Sequence, residues 1–329
     1  MKDFHVCGLG NAIVDIFLEL DDAQFATIGF ERGTMRLVEA DEQRALIEKF
    51  RSREPRLVSG GSVANSMIAL SQLGGKGAFI GCVGDDRYGL FYENEFEQLG
   101  IDIGNPAIFE EITGTCVCVI TPDAERTMRT CLAVSSHLAE RHVDEDRIKN
   151  SEWLFIEGYV LANPNTGQGA VRAAVKLAKK HGVKIALTCS EAFIVNVFGD
   201  AFHETLKQTD LLFCNASEAM AVTKAASATE AFAKLKDHVP HCVVTDGPHG
   251  AHIRYGGKEV HVPSFACTPR DLTGAGDMFA GAFLYGIAHD VPIEKSGRAA
   301  CFLSVKVITQ IGARLHHGTK AFWDEAVTG

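Results

Sequence analysis

Two hydrophobic periods take turns along the 329 residues, one near two and one near 3.6. Residues 4–10 form a short β run ending in a turn. Between 16 and 38 the text alternates around Gly29 and Gly33, which predicts strands and turns with a helical piece over 23–28. Residues 41–50 carry an amphipathic helical pattern, with Asp41 as its expected N-cap. A lead-in over 57–62 opens a helix over 63–73 that is apolar nearly all round and so should be buried. Residues 79–84 read as a buried strand, and 85–89 start a helix that ends near Gly100.

Strand patterns return at 107–109, 115–121 and 126–134, with a turn at Pro122, Asp123 and Ala124. The two β-rich stretches, 16–38 and 105–134, are expected to form one small antiparallel sheet, a lid. From residue 150 the alternation becomes regular. Strands fall at 153–156, 183–187, 211–213, 242–245, 251–255 and 259–261, with helices at 167–181, 201–209, 216–223 and 229–237. Repetition of this kind predicts an α/β fold: a doubly wound, mostly parallel sheet flanked by helices, with its site at the strands' C-terminal ends. A last apolar helix is expected over 299–309. No linker or repeat divides the chain, so 1–329 is read as a single domain carrying the lid.

Composition narrows the classes. Hydrophobic content of 46% and charged content of 22% are those of a globular protein. A net charge of −10 argues against a nucleic-acid or anionic-membrane partner. No signal-peptide core and no apolar run of membrane length is visible. The ten cysteines, including Cys7, Cys82, Cys116, Cys118 and Cys242, fall mostly in strand-like runs and read as reduced residues of a cytoplasmic protein. Cys116 and Cys118 are too close for a C-x-x-C site, and His316-His317 has no partner at zinc spacing, which argues against a cage of protein metal ligands.

The chemistry gathers around Asp271-Leu272-Thr273-Gly274-Ala275-Gly276-Asp277, which runs into an apolar helix marked by Phe279, Phe283 and Ile287. A glycine loop at a helix N-terminus offers unpaired N–H groups and a positive dipole end to an anion. Asp277 adds a proton acceptor beside that hole, and the two together suit transfer of a phosphoryl group to a hydroxyl. Asp15, in an apolar neighbourhood, needs a partner that a vicinal diol could supply, or else is a turn residue. Gly60-Gly61-Ser62 with Asn65 reads as a substrate contact or as a plain helix start, and Asn215 with Glu218 has the pattern of a plain helix start. A dinucleotide fingerprint fails after Gly8 and Gly10, because its third glycine would fall at Ile13. No Walker sequence is present.

The 271–277 run resembles the D-[T]-x-G-A-G-D signature of the ribokinase-like, or PfkB, family of carbohydrate and nucleoside kinases, departing only at Leu272. The resemblance spans nearly the whole chain and implies roles for its motifs. Gly274, Ala275, Gly276 and Asp277 would hold and drive the transfer. Arg126 would close over the moving phosphoryl group. Asn11 and Asp15 resemble the ribose-holding element of the adenosine-kinase branch, and Gly60, Gly61, Ser62, Asn65 and Thr273 count with them as acceptor contacts. Met35, Cys116 on the lid strand and Tyr159 after Gly158 would wall a purine. The segment 81–89 matches a further glycine element around Asp86. Asn215 and Glu218 would organise Mg²⁺, Glu218 through water, while Thr245, Gly247 and Gly250 would flank ATP. The expected protein is therefore an ATP- and Mg²⁺-dependent kinase of a ribose-bearing small molecule, most simply a nucleoside such as adenosine. A sugar kinase and a non-catalytic nucleotide- or sugar-binding regulator are the rivals. Monovalent-cation (K⁺) activation stays open, as does monomer against homodimer.

Overall fold

The computed structural model describes residues 2–123 and 125–328; Met1, Ala124 and Gly329 lie outside these, Ala124 being the last residue of the turn expected after Thr121. Fourteen strands are present among the described residues. In chain order they are β1 (Phe4–Leu9), β2 (Ile13–Glu19), β3 (Met35–Leu37), β4 (Arg56–Gly60), β5 (Gly77–Ile80), β6 (Ile101–Ile103) and β7 (Gly114–Ile120). There follow β8 (Arg126–Cys131), β9 (Ser151–Glu157), β10 (Lys184–Thr188), β11 (Leu211–Asn215), β12 (His241–Thr245), β13 (Ala251–Tyr255) and β14 (Lys258–Val262).

Nine strands build the large sheet in the order β14-β13-β12-β11-β10-β9-β1-β5-β6. From β6 to β12 every pairing is parallel, and the β12–β13 and β13–β14 hairpins close one edge antiparallel. Neighbouring residues of one strand feed opposite cores. Val6, Phe79, Phe155, Phe213 and Val243 enter one, while Cys7, Ile80, Leu154, Leu212 and Val244 enter the other. A sheet covered on both faces must be apolar at consecutive positions, which is why Trp153–Ile156 reads as an unbroken apolar run.

On the first face lie the helices Ser62–Gln72, Ala275–Ala288 and Ile293–Ile308. The first two cross closely at Gly281, where a Cβ would stand 2.2 Å from the Ser66 carbonyl oxygen. Phe279 and Phe283 anchor the second helix in this core, and truncating such a buried ring to alanine costs about 3–5 kcal/mol. This packing sets the first turns of both helices side by side.

The small sheet has the order β3-β8-β7-β2-β4. It is mixed, not antiparallel as expected: β2–β7 and β3–β8 are parallel, β2–β4 and β7–β8 antiparallel. Both β2 and β7 start beside the large sheet, Ile13 pairing with Gly114, and run outward in the same direction. The segments of this sheet also differ from those expected for the lid. It begins at Ile13 instead of 16 and takes in β4, whose short run had been read as a helix lead-in. Residues 107–109 contribute only an isolated bridge, Gly84 to Ile108.

Helix ends shift as well. The helix Ala40–Lys49 starts after Glu39, which makes no side-chain cap, and Asp41 pairs with Arg44 inside the first turn. The helix expected over 23–28 is Asp22–Ala26, capped by Asp21 with Gln24 answering in a capping box. Short helices at Glu145–Lys149 and Ala192–Val197, and a terminal one at Thr319–Thr328, went unread because short or weakly patterned runs give little periodic signal. The helix expected at 299 begins at Ile293, behind Pro292. No helix among the described residues is long and apolar enough to cross a membrane.

Candidate active site

Asp277 lies in the first turn of Ala275–Ala288, and Gly274 precedes that turn in the left-handed region at φ +78. A Cβ at Gly274 would stand 2.2 Å from the Ala313 carbonyl oxygen, so both its φ and its packing demand glycine. Met278 N–H bonds the Gly274 carbonyl at 2.8 Å. The N–H groups of Gly276 and Asp277 before it fall in the first turn, where helix geometry leaves them without an intrahelical partner, as an anion-binding loop requires. The Ala275 N–H is drawn back toward the Leu272 carbonyl at 3.5 Å.

The helix crossing brings two donors to the Asp277 carboxylate. Ser62 Oγ donates to Oδ1 at 2.7 Å and Asn65 Nδ2 to Oδ2 at 3.0 Å. Burial pushes this carboxyl up to about 6, and the two hydrogen bonds hold it back from rising further. Asn65 was expected to help position an acceptor diol. The structure shows it donating to Asp277 and outside the cavity lining, because residues 62 and 65 sit one turn apart on the helix face turned to the loop.

An apolar cavity of ≈ 470 Å³ opens between the small sheet and the C-terminal end of β9. Asn11, Asp15, Met35, Gly61, Ser62, Cys116 and Tyr159 all line it, as the motifs suggested. Asp15 is not at the exit of the first strand but within β2, beside Cys116 of β7. Burial pushes its carboxyl up to about 6, opposed by the guanidinium groups of Arg126 and Arg314. Gly60 stays outside the lining, its carbonyl accepting from the Tyr92 hydroxyl at 3.2 Å.

Sequence reading missed Glu157, the last residue of β9. It is 1% exposed and accepts from Asn11 Nδ2 at 2.7 Å and Val63 N–H at 3.1 Å. Burial pushes it up to about 7, with nearby Asp277 adding to the rise. The available signal was a carboxylate directly after four apolar strand residues and before a glycine. Ser135, which donates to Asn11 Oδ1 at 3.0 Å, and the exposed Phe193 also belong to the cavity and carried no motif.

Arg126 and Thr273 are placed differently from expectation. Arg126 Nη1 donates to Asp271 Oδ2 at 2.5 Å and to Thr273 Oγ1 at 2.6 Å, and its guanidinium lies 5.3 Å from the Phe17 ring centroid. Thr273 N–H in turn donates to Asp271 Oδ1 at 3.0 Å. Arg126 thus pins the small sheet to the flank of the loop, and Thr273 shapes the loop instead of lining the cavity. Asp86 caps the helix Arg87–Gln98, accepting from the Tyr88 and Gly89 N–H groups and from Thr113 Oγ1 at 2.7 Å.

A second, polar cleft of ≈ 220 Å³ lies across Asp277, lined by Ser62, Thr188, Ser190, Asn215, Glu218, Thr245 and Gly276 among others. Asn215 and Glu218 cap the helix Ala216–Thr223 reciprocally. Asn215 donates its N–H to Glu218 Oε2 at 2.9 Å and its Nδ2 to Oε1 at 2.8 Å. Burial pushes Glu218 up to about 7. Gly247 and Gly250 fall outside the cleft, in the turn after β12, where Gly250 packs against the Val262 carbonyl. Folding also brings together a set of potential ligands: those of Asp15, Cys116 and Cys118 lie within 4.8 Å of one another. Spacing along one strand could not reveal a carboxylate delivered by its neighbour.

Ser62 lines both hollows while bonding Asp277, so the carboxylate stands at their junction. A proton acceptor there, with helix N–H donors beside it, can take a hydroxyl proton from one side as an anion is held on the other. That is the working principle of a small-molecule kinase, a phosphotransferase. Residues 33–318 match the model of the pfkB family carbohydrate kinases. The chain belongs to this family.

Its relatives span two acceptor classes. A ribokinase of Haemophilus influenzae is 30% identical over 262 residues, covering 76% of this chain and 82% of that protein. The structure of a probable sugar kinase from Rhizobium etli CFN 42 superposes with a TM-score of 0.88 at 27% identity, over 99% of both chains. That of the adenosine kinase from Sinorhizobium meliloti gives 0.87 at 29% identity, over 98% of this chain and 99% of the other.

Proposed function

We propose that this kinase transfers the γ-phosphoryl group of ATP to the primary hydroxyl of a ribose-bearing acceptor, a nucleoside such as adenosine. The observation that carries the acceptor class is the cavity lining: Tyr159, Phe193, Met35, Leu132 and Leu138 surround a space whose carboxylates, among the described residues, are Asp15 and Glu157. A free sugar is polar all round and gains little from such walls, whereas a purine presents two π-faces to them. Asp15 accepts hydrogen bonds from the ribose diol. This leaves the primary hydroxyl directed at Asp277, which takes its proton as the oxygen attacks phosphorus and the bond to the diphosphate leaving group breaks. The Gly276 and Asp277 N–H groups receive the charge on the moving phosphoryl oxygens.

Mg²⁺, when bound, neutralises the triphosphate. The donor set of the second cleft fits a hydrated ion, because each Glu218 oxygen gives one lone pair to Asn215 and keeps another for a metal-bound water. Coverage of both ribokinase and adenosine kinase relatives favours a sugar acceptor as the second reading. Steady-state assays with adenosine, other nucleosides, ribose and fructose, each with Mg²⁺ and ATP, separate the two. A nucleoside should give the highest kcat/KM. Efficient turnover of ribose or fructose with none of any nucleoside would overturn the acceptor assignment and leave the kinase chemistry standing.

A further inference from the structure

Two thiols with no task in the transfer chemistry meet the Asp15 carboxylate on the inner face of the small sheet. Cys116 and Cys118 stand two residues apart on β7, so both side chains point to one face, and their sulfurs are 3.6 Å apart. The parallel register sets Asp15 of β2 directly beside Cys116. Asp15 and Cys116 line the acceptor cavity, which gives an ion its route in, while Cys118 is fully covered.

A tetrahedral zinc ion binds thiolate sulfur at about 2.3 Å, which places two coordinating sulfurs roughly 3.8 Å apart, and carboxylate oxygen at about 2.0–2.2 Å. The observed sulfur spacing is already within a few tenths of an ångström of that geometry, with no strand movement needed. Charge balances as well. Two thiolates and one carboxylate on a divalent ion leave a net −1, which the Arg126 guanidinium, 3.6 Å from Cys118 Sγ and shared with Asp271, lessens. Two soft ligands in three select a thiophilic ion over the Mg²⁺ that accompanies ATP, since Mg²⁺ takes oxygen ligands.

We propose that Asp15, Cys116 and Cys118 form an inhibitory site for a thiophilic divalent cation such as Zn²⁺, whose fourth coordination position opens into the acceptor cavity. Binding displaces one proton from each thiol as its sulfur bonds the ion, two protons per ion, with no change of oxidation state. Because the ion engages the Asp15 carboxylate, it excludes the acceptor and not ATP. That last step rests on Asp15 as the diol-binding residue, whereas the site itself does not.

The test uses the full chain in a Cys267→Ser background, since Cys267 is the exposed cysteine among the described residues. Cd²⁺ is titrated without nucleotide, reading the ultraviolet sulfur-to-cadmium charge-transfer band, and Zn²⁺ is titrated with proton release recorded. The band should saturate at one equivalent with two protons released, and Cys118→Ser should weaken binding more than about a hundredfold, beyond the usual cost of losing an outer contact to a metal ligand. Zn²⁺ should raise the acceptor KM at fixed Mg²⁺ and ATP, reversibly on chelation, and should do so far less in Cys118→Ser. No band, or a band and an inhibition unchanged in Cys118→Ser, overturns the site. Should that variant fail to fold, release of fewer than two protons by the parent protein overturns it equally. An ion bound with two protons released that leaves the acceptor KM untouched supports the site and overturns the placement of the acceptor at Asp15.

Discussion

The two walls that meet at Asp277 are built to different standards. On the large-sheet side, Asp277 rides a helix whose residues 278–286 are all buried, clamped to Ser62–Gln72 at a glycine crossing and fixed by two side-chain hydrogen bonds. On the small-sheet side, β3 is three residues long, Met35 and Leu37 are 49% and 62% exposed, and Arg126 makes the tie to the loop. The rigid wall holds the groups that would handle charge and adds Tyr159 to the acceptor cavity, while the lighter wall brings Asp15, Met35 and Cys116 to it. A reacting carboxylate tolerates little displacement, while a pocket for a flat base needs only area and fit. The division separates chemistry from acceptor choice, and it can be attacked on either side.

The largest effect should come from Asp277→Asn. The change is nearly isosteric, so kcat should fall about 10²–10⁴-fold through loss of the base. Stability should not fall with it. Asp277 has its folded pKa raised to about 6, so its contribution to stability is present at low pH and lost as pH rises through that value. At pH 8 the asparagine variant escapes that loss, and its Tm should equal or exceed that of the parent. A drop in Tm beside the drop in kcat would make Asp277 a structural residue.

Arg126→Ala tests the tie between the walls. It leaves the buried Asp271 carboxylate without its cation, and breaking such a pair costs roughly 3 kcal/mol. Chemical denaturation should show this, with Asp271→Asn in the same chain recovering part of it. Additive losses would mean the pair does not couple. Asp15→Ala should raise the acceptor KM roughly ten- to a hundredfold, the worth of hydrogen bonds to a charged group, while the ATP KM stays put. Equal rises in both would place Asp15 outside the acceptor site.

The smallest effect is in pH. Asp15, Asp277, Glu157 and Glu218 all have carboxyls raised by burial, to about 6, 6, 7 and 7. Their contributions to stability are therefore lost as pH rises through 6 and 7. The ligand-free Tm should decline over that window, and Glu157→Gln should flatten the decline. Turnover should move the opposite way, falling below about pH 6 as Asp277 is protonated. A Tm profile unchanged by Glu157→Gln would remove that residue from the account.

The same division decides how much the amino-acid sequence showed. The large-sheet side is written as glycines and charges at strand ends, so Gly274–Asp277, Asn215 and Thr245 are legible in the chain, and the fold brings Asn215, Thr245, Gly276 and Asp277 to one cleft. The small sheet has no such punctuation. Its β4 is a run of five residues half polar in character, and nothing in the chain says that β2 and β7 pair in parallel. Partnerships made only by folding were out of reach too. Asn65 meets Asp277 across 212 positions, and Arg126 meets Asp271 across 145. Both residues stand out along the chain as polar groups, and neither partner can be read from its position. Glu157 was passed over because a strand ending in a carboxylate is an ordinary pattern until the packing shows it buried.

Tyr159→Ala tests the separation of chemistry from acceptor choice most directly, with kcat/KM measured for adenosine and for ribose in the parent and the variant. Base–aromatic stacking is worth about 1–3 kcal/mol, a factor of roughly five to a hundred. The ratio of the two kcat/KM values should therefore shrink by that factor while ribose turnover stays as it was. A variant that loses adenosine and ribose activity in equal measure would contradict the account, because the aromatic wall that Tyr159 adds to the cavity beyond β9 would then be part of the chemistry.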